Sequence, residues 1–273
     1  MKNTESSSMD AYASDDISEQ NLRQANEHLR LTNQMLWSLF ADISKKMQVS
    51  STAIKASVSS LLGYDIVLGL AAQHELLEII ENSTDQVSKN IMLLTLVSKM
   101  ESNTFAINPE PIEIPEILSS VNEIVARNHP ELSLGLSIHT PGKPACIDYE
   151  YLSIALVMLY ELIIQTQQAP CSLNIAAVES EDHWFIDIEE VSKEIFDTLL
   201  KVSASGTDEL LQDAYLLPTK KLQLYVVCKI FERLAIQIAT PLASETEGPT
   251  GIRLMIPIAK NKLLVHELSL NCE

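Results

Sequence analysis

Residues 39–55 read LFADISKKMQVSSTAIK, and this stretch decides how the rest of the chain is read. Ile43, Met47, Ile54, Val58 and Leu61 recur at spacings of four, seven, four and three residues. Those intervals put all five on one face of an α-helix. The segment is therefore expected to be the middle of a long amphipathic helix that buries this stripe against a partner.

Upstream, Leu22, Leu29, Leu36 and Ile43 repeat every seven residues, with Ala25, Thr32 and Leu39 partly filling the alternate seam. This is a heptad pattern, so a coiled coil leads into the helix, which is expected to run from about Ser18 to Leu62. Gly63 and Gly69 flank a short connection, and a second helix is expected from about Ala71 to Ser102. Leu77, Ile80, Thr84, Val87, Ile91, Leu94 and Ser98 share one of its faces. Two long helices joined this way form a hairpin, and two hairpins from two chains form a four-helix bundle. Residues 1–16 are polar and without period, and are expected to be a disordered tail.

Beyond the hairpin the pattern changes. Asn103–Pro115 is a Pro-rich extended linker, in which Ile112 and Ile114 suggest a short strand. Helices are expected over Pro115–Asn128, Asp148–Thr166 and Leu222–Leu234. Strands are expected over Ser133–His139, Cys171–Val178, His183–Ile188, Ile236–Ala239 and Gly251–Ile258. Residues 189–220 are poorly patterned, and the tail 261–273 has no clear period. Helices and strands mixed in this order imply helices packed on one face of a mixed sheet. The fold class is thus α+β, with a tail at 1–16, a coiled coil and hairpin at 17–104, an α/β sandwich at 105–260 and a tail at 261–273.

Composition narrows the function. The chain carries 19 Lys and Arg against 37 Asp and Glu, a formal charge of −18. That disfavours nucleic acid or an anionic membrane as partner, because both reward basic residues. The four cysteines, Cys146, Cys171, Cys228 and Cys272, form no C-x-x-C pair, so neither a metal site nor a disulfide framework is expected. No apolar run reaches the ~18 residues of a membrane span, and a cytoplasmic bacterial protein without membrane insertion is expected.

The opening stretch resembles the phosphoacceptor segment of bacterial sensor histidine kinases, whose wording is close to A-x-(V/I)-S-H-E-(L/M)-R-T-P-L-T-x-I-K. Ala41, Ile43, Ser44, Met47, Thr52, Ile54 and Lys55 match it. Further matches follow in order: Pro109, Pro111, Ile112 and Ile114 at the domain junction, then Asp148, Leu152, Ala155, Leu156 and Leu159 in the helix of the nucleotide site. The resemblance covers about Leu22–Lys260. It implies a homodimeric helical bundle followed by the family's ATP-binding α/β domain.

It also implies chemistry that this chain has lost. The phosphorylated histidine is replaced by Lys45, whose protonated ammonium offers no lone pair for attack on phosphorus. Lys46 stands for the acidic neighbour, Val49 for the phosphatase threonine and Ser50 for the kink-forming proline. The two asparagines that hold Mg²⁺ and phosphate are replaced by Met158 and Leu162, which are poor ligands for a hard cation. The adenine-site motif D-x-G-x-G-I becomes Glu190, Ser192, Glu194 and Ile195, and the loop G-T-G-L-G-L becomes Thr219, Lys220, Lys221, Leu222, Gln223 and Leu224.

A degenerate nucleotide site of Met158, Leu162, Glu190, Ser192, Glu194, Lys221 and Gln223 is therefore expected, with no cofactor and no metal. The resulting expectation is a catalytically inactive histidine-kinase-like protein that acts by binding proteins in two-component signalling. Its partner would be a response-regulator receiver domain, seated at Lys45, Gln48, Val49, Thr52 and Ala56, or an active histidine kinase. Two rivals stand beside it: a divergent kinase using an acceptor such as His74, and a sensor taking a small apolar molecule into the remodelled pocket.

Overall fold

The computed structural model describes residues 5–63, 69–102, 104–138, 142–167, 171–205, 218–240 and 250–258. Helix α1 (Glu5–Gly63) and helix α2 (Leu70–Glu101) form the hairpin. No glycine or proline precedes Gly63, so nothing in the sequence interrupts α1. This corrects the expected disordered tail: residues 5–16 continue the helix. At 1.5 Å per residue α1 outruns α2 by roughly 40 Å.

The heptad seam divides accordingly. Leu36, Leu39 and Ile43 are buried at 4%, 5% and 1% exposure, whereas Leu22 and Leu29 are 62% and 59% exposed. The apolar stripe expected on α2 is met in part: Ile80, Val87 and Leu94 are half-buried beside the buried Asn90, Leu93, Leu96 and Val97, while Leu77, Thr84, Ile91 and Ser98 are exposed.

The α/β part begins with a linker that is packed rather than free. Phe105 is buried, with its ring centroid 4.3 Å from that of Tyr151. Strand β1 (Glu110–Ile112) pairs antiparallel with β3 (Ala145–Ile147), a three-residue strand too short to show in the sequence. Helix α3 (Ile114–Asn128) carries Pro115 in its first turn, where its missing N–H costs nothing. The main sheet takes β2 (Ser133–Ile138), β4 (Ser172–Glu179), β5 (His183–Val191), β6 (Gln237–Ala239) and β7 (Thr250–Pro257) in the order β2-β4-β5-β7-β6. Among the described strands of this sheet, only β2 and β4 pair in parallel.

Alternation on these strands fixes which face is covered. Leu173, Ile175, Trp184, Ile186, Ile188, Ile252, Leu254 and Ile256 are buried at 0–2% exposure. Their neighbours Asn174, Phe185, Asp187, Arg253 and Met255 lie on the outer face, where Arg253 clamps Asp187 through two 2.6 Å hydrogen bonds.

Helices α4 (Tyr149–Ile164) and α6 (Pro218–Arg233), with α5 (Lys193–Ser205) between them in the chain, complete the fold. Helix α4 is apolar on nearly every side because it is the centre of the core. Asp148 caps it, its Oδ1 accepting from the Tyr151 N–H at 3.0 Å and its Oδ2 from the Asn108 N–H at 2.8 Å. The region expected to lack pattern contains α5, which buries Ile195, Leu199 and Val202 at helical spacing. The expectations for residues 1–4, the connection at 64–68, residues 206–217 and the tail 261–273 fall outside the described residues.

Among the described residues no helix is long and apolar enough to cross a membrane, and no group of acidic, His and Cys side chains could hold a metal ion.

Cys228 on α6 is buried, and burial, helped by Glu232 and opposed by Lys229, pushes its thiol up to about 12. Above the ordinary value of 9.0 the unfolded thiol ionises and the native one does not, so this group costs stability as pH rises. Iodoacetamide at pH 8 should leave Cys228 unmodified in native protein and label it after urea unfolding. Mass spectrometry of the peptides checks this, and native labelling at the rate of a free thiol would mean that α6 does not pack as described.

Candidate functional site

A cavity of about 510 Å³ lies where the hairpin meets the α/β part. Helix α2 supplies Gln86, Lys89, Asn90, Met92 and Leu93, and α1 supplies Lys46. The opposite walls are Ile124 and Asn128 of α3, one side of α4 including Ile154, Val157, Met158 and Glu161, and Lys220 and Gln223 from the first turns of α6. The volume is in the range of small-molecule sites.

Glu161 is the electrostatic centre of the walls. It is 6% exposed on an otherwise apolar helix and accepts from Lys89 Nζ at 2.9 Å and more weakly from Asn128 Nδ2 at 3.4 Å. A buried carboxylate needs such partners, since desolvating it alone is prohibitive. The pair also ties the hairpin to the α/β part, as does the Tyr225 hydroxyl, which donates to Glu101 Oε1 at 2.5 Å.

The residues expected to form a degenerate nucleotide site are only partly brought together. Met158 and Gln223 line the cavity, and Lys220 joins them. Leu162 is fully buried in the core, and Lys221 is half-buried beside Lys220 on α6 without being a wall residue. Thr219–Leu224 lie within the first turns of α6 rather than in a glycine loop.

Glu190, Ser192 and Glu194 stand apart from the cavity walls, at the end of β5 and the start of α5. Glu190 adopts a positive φ of 64° at an irregularity in the β5–β7 pairing, a conformation that glycine takes at less cost. Its carboxylate accepts from the Ser172 hydroxyl and its carbonyl from Gln167 Nε2 at 2.9 Å. The Ser192 Oγ accepts weakly from the Ile195 N–H at 3.4 Å and helps start α5, while Glu194 is exposed. All three therefore have local structural surroundings.

Lys45, Gln48, Val49, Thr52 and Ala56 are all exposed along one side of α1, Val49 at 64%. His74 is exposed on the second turn of α2, pairs with Glu78 Oε1 at 3.2 Å and is not a wall residue of the cavity. Sequence reasoning missed Lys89, Asn90 and Asn128 as site residues. Their only signal was polar character inside apolar helical segments, and the contact of Lys89 with Glu161 spans 72 residues.

No protein-family model matches the chain, and no curated protein sequence matches it. Solved structures do. The Acinetobacter baumannii histidine kinase AdeS superposes with a TM-score of 0.52 at 17% identity, over 78% of this chain and 97% of that one. Full-length ShkA, solved in complex with AMPPNP, gives a TM-score of 0.52 at 12% identity, over 84% of this chain and 46% of ShkA. At these identities the likeness establishes the fold: a long helical hairpin followed by an α/β domain of the histidine-kinase ATP-binding type.

Proposed function

We propose that this chain is a histidine-kinase-like protein that transfers no phosphoryl group and acts by binding other proteins in two-component signalling. The observation that carries the reading is the pairing of a histidine-kinase fold with Lys45 at the acceptor position and Met158 and Leu162 where the metal-binding asparagines belong. An ammonium cannot attack the γ-phosphoryl group, and a thioether and an alkyl chain cannot organise Mg²⁺. The exposed face at Lys45, Gln48, Val49, Thr52 and Ala56 is then a surface for a receiver domain. The uncovered stripes at Leu22 and Leu29 and at Leu77 and Ile91 are surfaces for a second hairpin, from a copy of this chain or from an active kinase.

The test is incubation with labelled ATP and Mg²⁺, together with melting in millimolar Mg-ATP. No label and no shift are expected, whereas a site filled at ~100 times its dissociation constant would add about 2.7 kcal/mol. Label on the chain, or a rise of several degrees, would sink the reading. A receiver domain that binds should lose at least about tenfold in affinity on Val49→Glu, which puts a charge in place of the largest apolar side chain of that face; unchanged binding would move the docking face elsewhere.

The open cavity beside Met158 favours a second reading, in which the chain senses a small molecule between its hairpin and its α/β part.

A further inference from the structure

Resting on that sensing reading, we infer that the cavity takes a small amphiphilic carboxylate: a short apolar body with one anionic head, rather than a nucleotide or a cation. Its floor is apolar, built from Met92, Leu93, Ile124, Ile154, Val157 and Met158. Such a surface holds a hydrocarbon body.

The polar groups select the head. The Glu161 carboxylate is already neutralised by Lys89 at 2.9 Å, and the Lys46 ammonium faces Asp42 at 3.7 Å. Lys220 also lines the cavity and, among the described residues, has no acidic partner. It lies in the first turn of α6, where unpaired backbone N–H groups add positive potential. Among the described residues the uncompensated charge at the cavity is therefore positive, in a chain whose formal charge is −18.

Asn90 supplies a second polar group for the head. It lines the cavity and makes no hydrogen bond among the described residues, and its amide is not among the side-chain atoms closed to solvent, so it is open to an occupant. Asn90 can donate to one carboxylate oxygen while the Lys220 ammonium draws on the charge. A polyphosphate would instead set several negative charges beside the buried Glu161, whose ion pair among the described residues is with Lys89.

The walls come from both halves of the molecule, so an occupant would bridge α2 to α4 and α6. Binding would favour the docked arrangement of the hairpin over any other in proportion to its differential affinity.

The experiment is calorimetric titration of the full chain with three probes that share one hydrocarbon chain: octanoate, 1-octanol and octylammonium. Octanoate should bind at least tenfold more tightly than either of the others. Lys220→Gln should bring octanoate to the affinity of octanol with the fold intact, as read by circular dichroism. Val157→Trp, which fills the apolar floor, should abolish binding of all three, and its melting curve controls for folding. Equal or tighter binding of octanol would overturn the head-group assignment while leaving a sensing cavity. Tightest binding of octylammonium would make Glu161 the recognition group and overturn it as well. No heat from any probe would overturn both the carboxylate and the sensing reading.

Discussion

Trp184→Ala should lower the stability of the α/β part by about 3–5 kcal/mol, the largest loss expected from a single truncation in this chain. Trp184 is fully buried near the start of β5, opposite Glu179 on β4 and Ile256 on β7. Its indole N–H donates to the Lys143 carbonyl at 2.8 Å. The ring also packs so closely on the backbone at Gly142 that a Cβ there would fall 2.1 Å from a ring carbon. Truncation removes the largest fully buried side chain and leaves a hole that three strands and this segment cannot all collapse into.

Urea unfolding followed by far-UV circular dichroism measures the loss as a fall in midpoint at constant slope. Trp184→Phe keeps most of the volume and should lose less than half as much. Gly142→Ala should also destabilise, because the new methyl group must displace the ring. A Trp184→Ala loss below about 1 kcal/mol would mean that the indole is not enclosed in solution.

The main framework was legible because burial writes itself into periodicity. Ile186 and Ile188, or Ile252 and Leu254, can only alternate if one side of the sheet is covered. Asp148 was recognisable as a family position, and the structure gives that residue a physical task, capping α4 and holding the linker at Asn108. What escaped reading was of two kinds. Short elements such as β3 have too few residues for a period. Helix α5 is obscured because its own first residues, Glu194 and Ile195, align with a nucleotide motif, although Ile195, Leu199 and Val202 carry a helical spacing.

The second kind is long-range. The expected stripe on α2 splits, with Ile80, Val87 and Leu94 half-buried and Leu77 and Ile91 exposed, because tertiary packing and not periodicity sets which edge of the face turns inward. The cavity was unreadable for the same reason, since its walls come from five helices. Met158 and Gln223 could be placed there by resemblance, but Asn90 and Lys89 could not, because no local pattern says that α2 faces α4.

That facing contact makes the second large prediction. Lys89→Glu should cost about 3 kcal/mol, at the lower end of what breaking a buried ion pair costs. The carboxylate of Glu161 is 7% exposed and the ammonium of Lys89 is 48% exposed. Reversal would leave Glu161 with only Asn128 at 3.4 Å and bring a second carboxylate toward it. The outer half of the pair reaches water, so part of the repulsion is screened, and the penalty is dominated by the stranded inner charge.

The double variant Lys89→Met with Glu161→Leu separates the two contributions. It removes both charges and keeps similar volume, so it should be close to wild type or somewhat more stable, as desolvation no longer opposes burial. A single-variant loss that the double variant recovers assigns the destabilisation to the unpaired Glu161. If Lys89→Glu unfolds within 0.5 kcal/mol of wild type, the hairpin is not held against α4 by this pair. If both variants are equally unstable, the loss comes from packing at α4 instead of from charge.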